Sequence, residues 1–239
     1  TMPSSIFHWT AFSKDVTLTG YSNGSGLRIA QKLLNSGPVN DTVTYSVVAV
    51  ADTCTSDTVK FVVTVRPFFD ISVVPVAQTT CSNNLITINI SSSNAAATFT
   101  WTATKNYAGL SGYSNGSGNT ISQTLINTGP LNGTVTYKIV PNGLGCTGDT
   151  VVSTVLVHPL PSPAIAGLAT LCAGSSGVVY TTQPGMTNYL WAVSAGGSVT
   201  AGGTPVSNSV TMTWNAPGAQ SVSVNYHDAS GCTAAAPVT

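Results

Sequence analysis

Charge is what this sequence has least of. Only 6% of its 239 residues are Asp, Glu, Lys or Arg, and glutamate does not occur; an average soluble protein has about 25%. The formal net charge is zero, and the seven basic residues are spread along the chain. Proteins that bind nucleic acid neutralise phosphates with clustered Lys and Arg, so this composition argues against DNA or RNA as a partner.

Long hydrophobic runs are lacking as well. No stretch approaches the roughly 18 apolar residues that cross a bilayer, so no membrane span is expected. The first residues show no basic region followed by an apolar one, so a signal peptide is either absent or was removed. No amphipathic helical pattern is found. The polarity comes from Thr, Ser, Asn and Gly, which suit strands and tight turns.

An internal repeat is the clearest positive feature. Residues 7–67 recur without a gap as residues 99–159, a shift of 92 positions at which about half the residues are identical. The shift aligns Trp9 with Trp101 and Cys54 with Cys146, and the run at 20–26 returns whole at 112–118. A match this long predicts duplicated modules.

The repeat also predicts where the modules begin and end. The second copy has about thirty residues ahead of its Trp that the first copy lacks, and a Pro-rich junction at 158–163 ends it. We therefore interpret residues 1–67 as the C-terminal portion of a module whose opening strands are not present, 68–159 as a complete module and 160–239 as a divergent third module. The opening strands would come from upstream sequence or from a neighbouring chain.

Short alternating segments with turns between them predict an all-β fold. The segments at 42–47, 58–65, 134–140, 150–157, 210–214 and 222–226 alternate polar and apolar residues or are rich in β-branched ones. Clusters of Gly, Asn and Ser separate them. The pattern predicts tandem Ig-like β-sandwich modules in an elongated array.

Five cysteines in such a chain suggest an oxidising compartment. We predict disulfides Cys81–Cys146 and Cys172–Cys232, each closing a loop of about 60 residues that the chain-entropy model values at roughly 4 kcal/mol. Cys54 would be left unpaired, because its partner would precede Thr1. The alternative is a set of free buried thiols. Zinc is disfavoured, because no two cysteines are closer than 26 residues.

Catalytic arrangements are not evident. No predicted module holds a convincing pair of carboxylates, no nucleophile elbow is found, and no Lys-bearing helix follows the Gly-rich segment. The scattered Asp residues also disfavour a strong calcium site. We therefore expect no enzyme activity, cofactor or metal. Trp9, Trp101 and Trp191 lie within predicted strands, so we expect them in the cores rather than on a carbohydrate-binding platform.

Several motifs resemble a known family. Trp-Thr-Ala, Tyr-Ser-Asn-Gly-Ser-Gly, Cys-Thr-x-Asp-Thr-Val and a closing Val-x-Pro, carried by residues 9–67 and 101–159, resemble PKD-like (Ig-like) repeats of large Bacteroidetes surface proteins. The third module, with Cys172, Trp191, Trp214 and Cys232, resembles a second PKD-like subtype. Such proteins include gliding-motility adhesins and other cargo of the type IX secretion system, and the family has no catalytic residues to carry over.

The resemblance implies an extracellular role. It implies a structural or adhesin repeat region that forms a stalk or filament at the bacterial cell surface. Its partners would be adjacent modules of the chain, neighbouring copies in a filament, surface glycans or other cells. The alternative is a set of carbohydrate- or protein-binding accessory modules of a secreted hydrolase. Thr42, Thr58 and Thr150 each follow Asp and precede Val, which resembles the Asp-Ser/Thr-apolar O-glycosylation motif of Bacteroidetes exported proteins.

Overall fold

The computed structural model describes residues 5–239, which form twenty-two strands and no helix. The predicted all-β class is thereby confirmed. Strands pair only within three groups, and no sheet mixes strands of different groups. We name these groups unit one (5–67), unit two (68–159) and unit three (160–239). The first four residues of the predicted first module lie outside the described residues.

Unit one has a single large sheet. Its strands are β1 (Ile6–Phe12), β2 (Leu18–Thr19), β3 (Gly24–Gly26), β4 (Leu34–Asn35), β5 (Asp41–Ala51), β6 (Cys54–Thr55) and β7 (Val59–Val65). β5 lies at the centre, paired with β1, β6 and β7, and β3 extends the sheet beyond β1. Only the two-residue ladder of β2 and β4 faces this sheet. The buried core is correspondingly small: Trp9, Leu18, Val43 and Tyr45.

Unit two is a closed sandwich of two sheets. Its strands are β8 (Ser72–Val74), β9 (Ala77–Cys81), β10 (Asn84–Ser91), β11 (Thr98–Lys105), β12 (Leu110–Ser111), β13 (Gly116–Ser117), β14 (Thr120–Asn127), β15 (Gly133–Gly143), β16 (Cys146–Thr147) and β17 (Val151–His158). One sheet has the order β12-β14-β10-β8 and the other β13-β11-β15-β17-β9, with β16 on β15.

The alternation of the strands explains the core of unit two. In β10, Ile86, Ile88 and Ile90 are buried while the residues between them are exposed. Tyr137 and Ile139 of β15 face them from the other sheet, within one continuous buried cluster. Successive strand side chains point to opposite faces, so each sheet supplies one apolar face to the core.

Unit three is a smaller version of the same plan. Its strands are β18 (Val178–Thr181), β19 (Thr187–Val193), β20 (Gly197–Gly202), β21 (Ser209–Trp214) and β22 (Val222–His227). β18, β21 and β20 form one sheet, and β19 pairs with β22. Trp191 packs against the buried clusters of both sheets. The predicted boundaries at Pro67 and Pro159 fall between strands of different units.

Candidate functional site at the junctions between units

A disulfide joins unit two to unit three. Cys81 is bonded to Cys232, with 5.6 Å between the two Cα atoms and 151 residues of sequence separation. Among the described residues, Cys54, Cys146 and Cys172 are free thiols. The predicted pairings Cys81–Cys146 and Cys172–Cys232 are therefore wrong. The bond that forms connects two neighbouring units, because Cys81 belongs to unit two and Cys232 to unit three.

Strand geometry explains why Cys81 does not reach Cys146. β9 runs parallel to β17 and places Cys81 opposite His158, at the end of the sheet that leads into unit three. Cys146 lies in the hairpin that pairs with Gly143, at the other end of β15. The eleven residues of β15 separate these ends by about 33 Å, at roughly 3.3 Å per residue.

Unit three separates its own two cysteines in a similar way. Cys172 precedes Gly174, whose N–H donates to the carbonyl of Trp214, just as Asn83, two residues after Cys81, donates to Leu125. Gly174 and Asn83 both have positive φ. Cys172 is thus the counterpart of Cys81. Cys232, in contrast, lies in the hairpin after β22, close to the bridge between His227 and Thr233.

The sequence carries a signal for this arrangement. Gly-Cys-Thr occurs at 145–147 and again at 231–233, and both copies form the hairpin after the long strand of their unit. The motif therefore marks Cys146 and Cys232 as equivalent. The predicted pairs already treat these two cysteines as equivalent, and their error is to place each bond within one module, whereas Cys81 of unit two is bonded to Cys232 of unit three.

Polar contacts reinforce the junctions. His158 Nδ1 lies 3.1 Å from Ser230 Oγ, next to the disulfide. At the junction of units one and two, Arg66 Nη1 donates to the carbonyl of Gly145 at 3.0 Å. The buried amide of Asn94 donates to the carbonyl of Gly37 at 2.8 Å. Each junction thus has direct side-chain hydrogen bonds between neighbouring units.

The first two predicted core tryptophans lie in the interior. Trp9 and Trp101 are each 8% exposed, and their indole N–H groups donate to the carbonyls of Ser22 and Ser114 at 3.1 Å. Both acceptors belong to the repeated Tyr-Ser-Asn-Gly-Ser-Gly motif, which therefore acts as a structural turn against the ring. Trp191 is half-buried and donates to Ser207. None of the three forms a flat exposed platform.

A second repeated network lies in the cores. Tyr45 and Tyr137 donate to the side-chain oxygens of Gln31 and Gln123 at 2.7 Å. Burial raises the pKa of Tyr137 to about 12 and also raises the pKa of Tyr45. Buried phenols of this kind stay protonated at neutral pH, so they stabilise the sandwich rather than supply acid–base chemistry.

The carboxylates are used in turns. The Asp70 carboxylate accepts hydrogen bonds from Ser92 and Ser93, which hold its pKa below the usual value. Asp15 is likewise held low by the backbone and side chain of Thr17. A glycosidase requires a pair of carboxylates that influence one another, whereas hydrogen bonds and burial alone account for both of these shifts. Within residues 5–239, no group of three or more His, Cys or Asp side chains could hold a metal ion.

The candidate O-glycosylation residues are all accessible. Thr42 lies at the start of β5, and Thr58 and Thr150 lie immediately before β7 and β17. All three side chains are exposed to solvent. Their modification stays a prediction. In the part of the chain described here, no helix has the length and hydropathy that a bilayer span requires.

Comparisons with known proteins agree with the strand architecture. Family models described as PKD-like domain match residues 1–68 and 78–161, and a second PKD-like domain model matches residues 158–239. No curated protein matches the chain.

Two solved structures are similar in part. One is "Protocadherin Gamma B2 extracellular cadherin domains 3-6", at 13% identity and a TM-score of 0.34, covering 97% of this chain and 66% of that one. The other is "Crystal structure of Dpr2 Ig1-Ig2 in complex with DIP-Theta Ig1-Ig3", at 11% identity and a TM-score of 0.29, covering 99% of this chain and 89% of that one.

Proposed function

We propose that this chain, which belongs to the PKD-like domain family, is a non-catalytic structural or adhesin repeat region outside the cell. Its role would be that of a stalk or filament that holds an attached region away from a bacterial surface. The motif resemblance extends the proposal to Bacteroidetes surface proteins exported by type IX secretion. The modules would be residues 1–67, 68–159 and 160–239, the first of them incomplete.

The disulfide across a junction is the observation that carries this proposal. A bond between Cys81 and Cys232 ties two units together covalently, whereas a bond inside one unit would stabilise only that unit. Disulfides persist in oxidising, extracellular compartments. A stalk needs fixed junctions between its units, because inter-domain motion is otherwise the default for modules in tandem.

The polar chemistry of the chain supports the same role. The two most buried of the predicted tryptophans donate their indole N–H groups to backbone carbonyls of the repeated turn, and the carboxylates with lowered pKa accept hydrogen bonds from nearby Ser and Thr residues. Neither group is arranged for catalysis or for stacking on sugar rings. A stalk requires neither catalysis nor stacking on sugar rings at its exposed surface.

Antibody labelling of intact native cells tests the proposal. Antibodies raised against residues 68–239 should label cells without permeabilisation, and deletion of these units should shorten the reach of the attached region in electron micrographs. Label that appears only after permeabilisation would contradict an extracellular stalk. Specific hits on a glycan array, lost when exposed aromatic residues are replaced, would instead favour a carbohydrate-binding module of a secreted hydrolase.

A further inference from the structure

Unit one has an open apolar face where unit two is closed. Phe7 of β1 is 38% exposed, whereas its counterpart Phe99 in β11 is 3% exposed. Val63 and Val65 of β7 are only partly buried, although their counterparts in β17, Val155 and Val157, are completely buried. Phe61, also in β7, is 61% exposed. The same strand pattern thus leaves unit one short of one covering layer.

The strands that close unit two identify this layer. β9 covers the edge of β17 in parallel, and β10 pairs with β14 in the opposite sheet. Among residues 5–239, no strand covers the equivalent edge of β7. Residues 28–33 form no strand either, although their counterparts belong to β14. What unit one lacks is therefore a strand–turn–strand segment equivalent to β9 and β10.

The two junctions share their geometry at the point where this segment would end. His158 of β17 lies opposite Cys81 and contacts Ser230, in the hairpin of Cys232. Its counterpart Arg66 follows β7 and donates to Gly145, in the hairpin of Cys146. Gly145 and Gly231, each directly before its cysteine, have φ values of +76° and +77°. Cys146 is thus placed as Cys232 is, but it is a free thiol.

We propose that a strand–turn–strand segment of the same polypeptide, leading directly into β1, closes unit one and bonds to Cys146 through a cysteine opposite Arg66. Each junction would then carry one disulfide, from the edge strand of one unit to the hairpin of the next. The same polypeptide is favoured because β10 joins β11 through only six residues, 92–97. An equal connection leads straight into Ile6.

Formation of the bond follows thiol–disulfide chemistry. The two thiols lose two protons and two electrons as the S–S bond forms. A disulfide oxidant accepts them and leaves as two thiols, by attack of a thiolate through a mixed disulfide. The secretion route of disulfide-bonded proteins supplies oxidants of this class.

One position limits how far the copied segment can extend. Ser153 is fully buried in unit two, and its hydroxyl donates to the carbonyl of Pro75 at 2.9 Å. Its counterpart in unit one is the much larger Phe61. A copy that included Pro75 would meet the Phe61 ring, so a probe for unit one should begin at Ala77, beyond that contact.

The test is a chain with its first five residues replaced by a copy of residues 77–97, oxidised with glutathione disulfide. Peptide mapping should show the cysteine of the copy bonded to Cys146, and alkylation of Cys146 should be lost. Amide exchange of residues 28–33 should slow by about tenfold or more, because these residues gain strand partners. The Cys81–Cys232 bond, read in the same map, verifies that units two and three are folded.

Matched variants separate the outcomes. Replacing the cysteine of the copy by serine should keep the exchange protection and abolish the bond, and Cys146→Ser should leave the new thiol free. Cys54→Ser and Cys172→Ser should change neither readout. Bonding to Cys54 or Cys172, or a free Cys146 without protection of 28–33, would overturn the proposal. If the bond to Cys146 instead joined two different chains, reducible multimers would form. That result would overturn the assignment of the segment to the same polypeptide.

Discussion

The side chain of Trp101 is held between a hydrogen bond and a glycine. Its indole N–H donates to Ser114, and Gly116 lies against the six-membered ring. A Cβ atom on Gly116 would stand 2.6 Å from Cζ2 of the ring, and Gly24 and Trp9 repeat the same contact in unit one. The sequence predicts a turn at this motif, but the contact of its glycine with a ring fifteen residues away depends on strand pairing.

Gly116→Ala should therefore destabilise unit two. The added methyl must push a buried ring out of its place, and overpacking of this kind costs about 1–3 kcal/mol. For a unit of this size, each kcal/mol lowers the melting temperature by roughly 4–8 °C. Calorimetry would measure the shift, with the exposed neighbour Ser117→Ala as the control. If Gly116→Ala melted at the same temperature as Ser117→Ala, the result would contradict this packing.

Ionisation of Tyr137 should make unit two less stable in strong alkali. The folded-state pKa of Tyr137 is about 12 and the usual value is 10. The unfolded chain therefore loses this proton first, and stability is retained below pH 10 and lost as the pH rises from 10 to about 12. Unfolding free energies measured across that range should fall more steeply in the wild type than in Tyr137→Phe. Equal slopes would show that Tyr137 ionises freely in the fold.

At the scale of elements, the long central strand decides which cysteines can meet. The sequence predicts β15 and β17 as strands, and both are present. It does not show that β9 runs parallel to β17, which moves Cys81 to the far end of the sheet. Alternation in a sequence reports which face a residue occupies, whereas the direction of a partner strand depends on tertiary contacts. The wrong prediction of a Cys81–Cys146 bond arises because the sequence does not show the direction of β9.

Thiol labelling should reproduce this placement. In the unreduced folded protein, Cys54 and Cys172 should react readily because both are exposed, and Cys146 more slowly because it is partly buried. Cys81 and Cys232 should react only after reduction. Cys81→Ser should leave Cys232 as a free thiol. Because Cys232 is only 1% exposed, this thiol should label slowly until the unit unfolds. Reactive Cys81 with protected Cys146 and Cys172 would contradict the structure.

At the scale of the molecule, the 92-residue period predicts the units but not the links between them. Self-comparison aligns Cys54 with Cys146 and predicts an incomplete first unit, which stays a prediction. A repeat describes what each unit contains. Contacts such as His158 with Ser230 involve positions that differ between copies, so no period reveals them.

The disulfide between units gives the molecule a mechanical property that neither unit has alone. When tension is applied to the two ends, the bond gives a covalent path from Cys81 to Cys232 that bypasses the backbone between them. Even if unit two or unit three unfolded, the chain could not lengthen by the enclosed segment. A stalk with such a bond keeps its length under load that would extend an uncrosslinked array.

Single-molecule stretching measures this property directly. With the chain attached at both ends, full extension of the oxidised protein should be about 500 Å shorter than that of the reduced one, since a sequence separation of 151 is bypassed at roughly 3.4 Å per residue step. Cys81→Ser should extend fully without reductant, because no bond encloses the segment. Cys172→Ser should behave as the wild type. Full extension of the oxidised wild type would show that tension passes through units two and three, and would remove the mechanical basis of the proposed stalk.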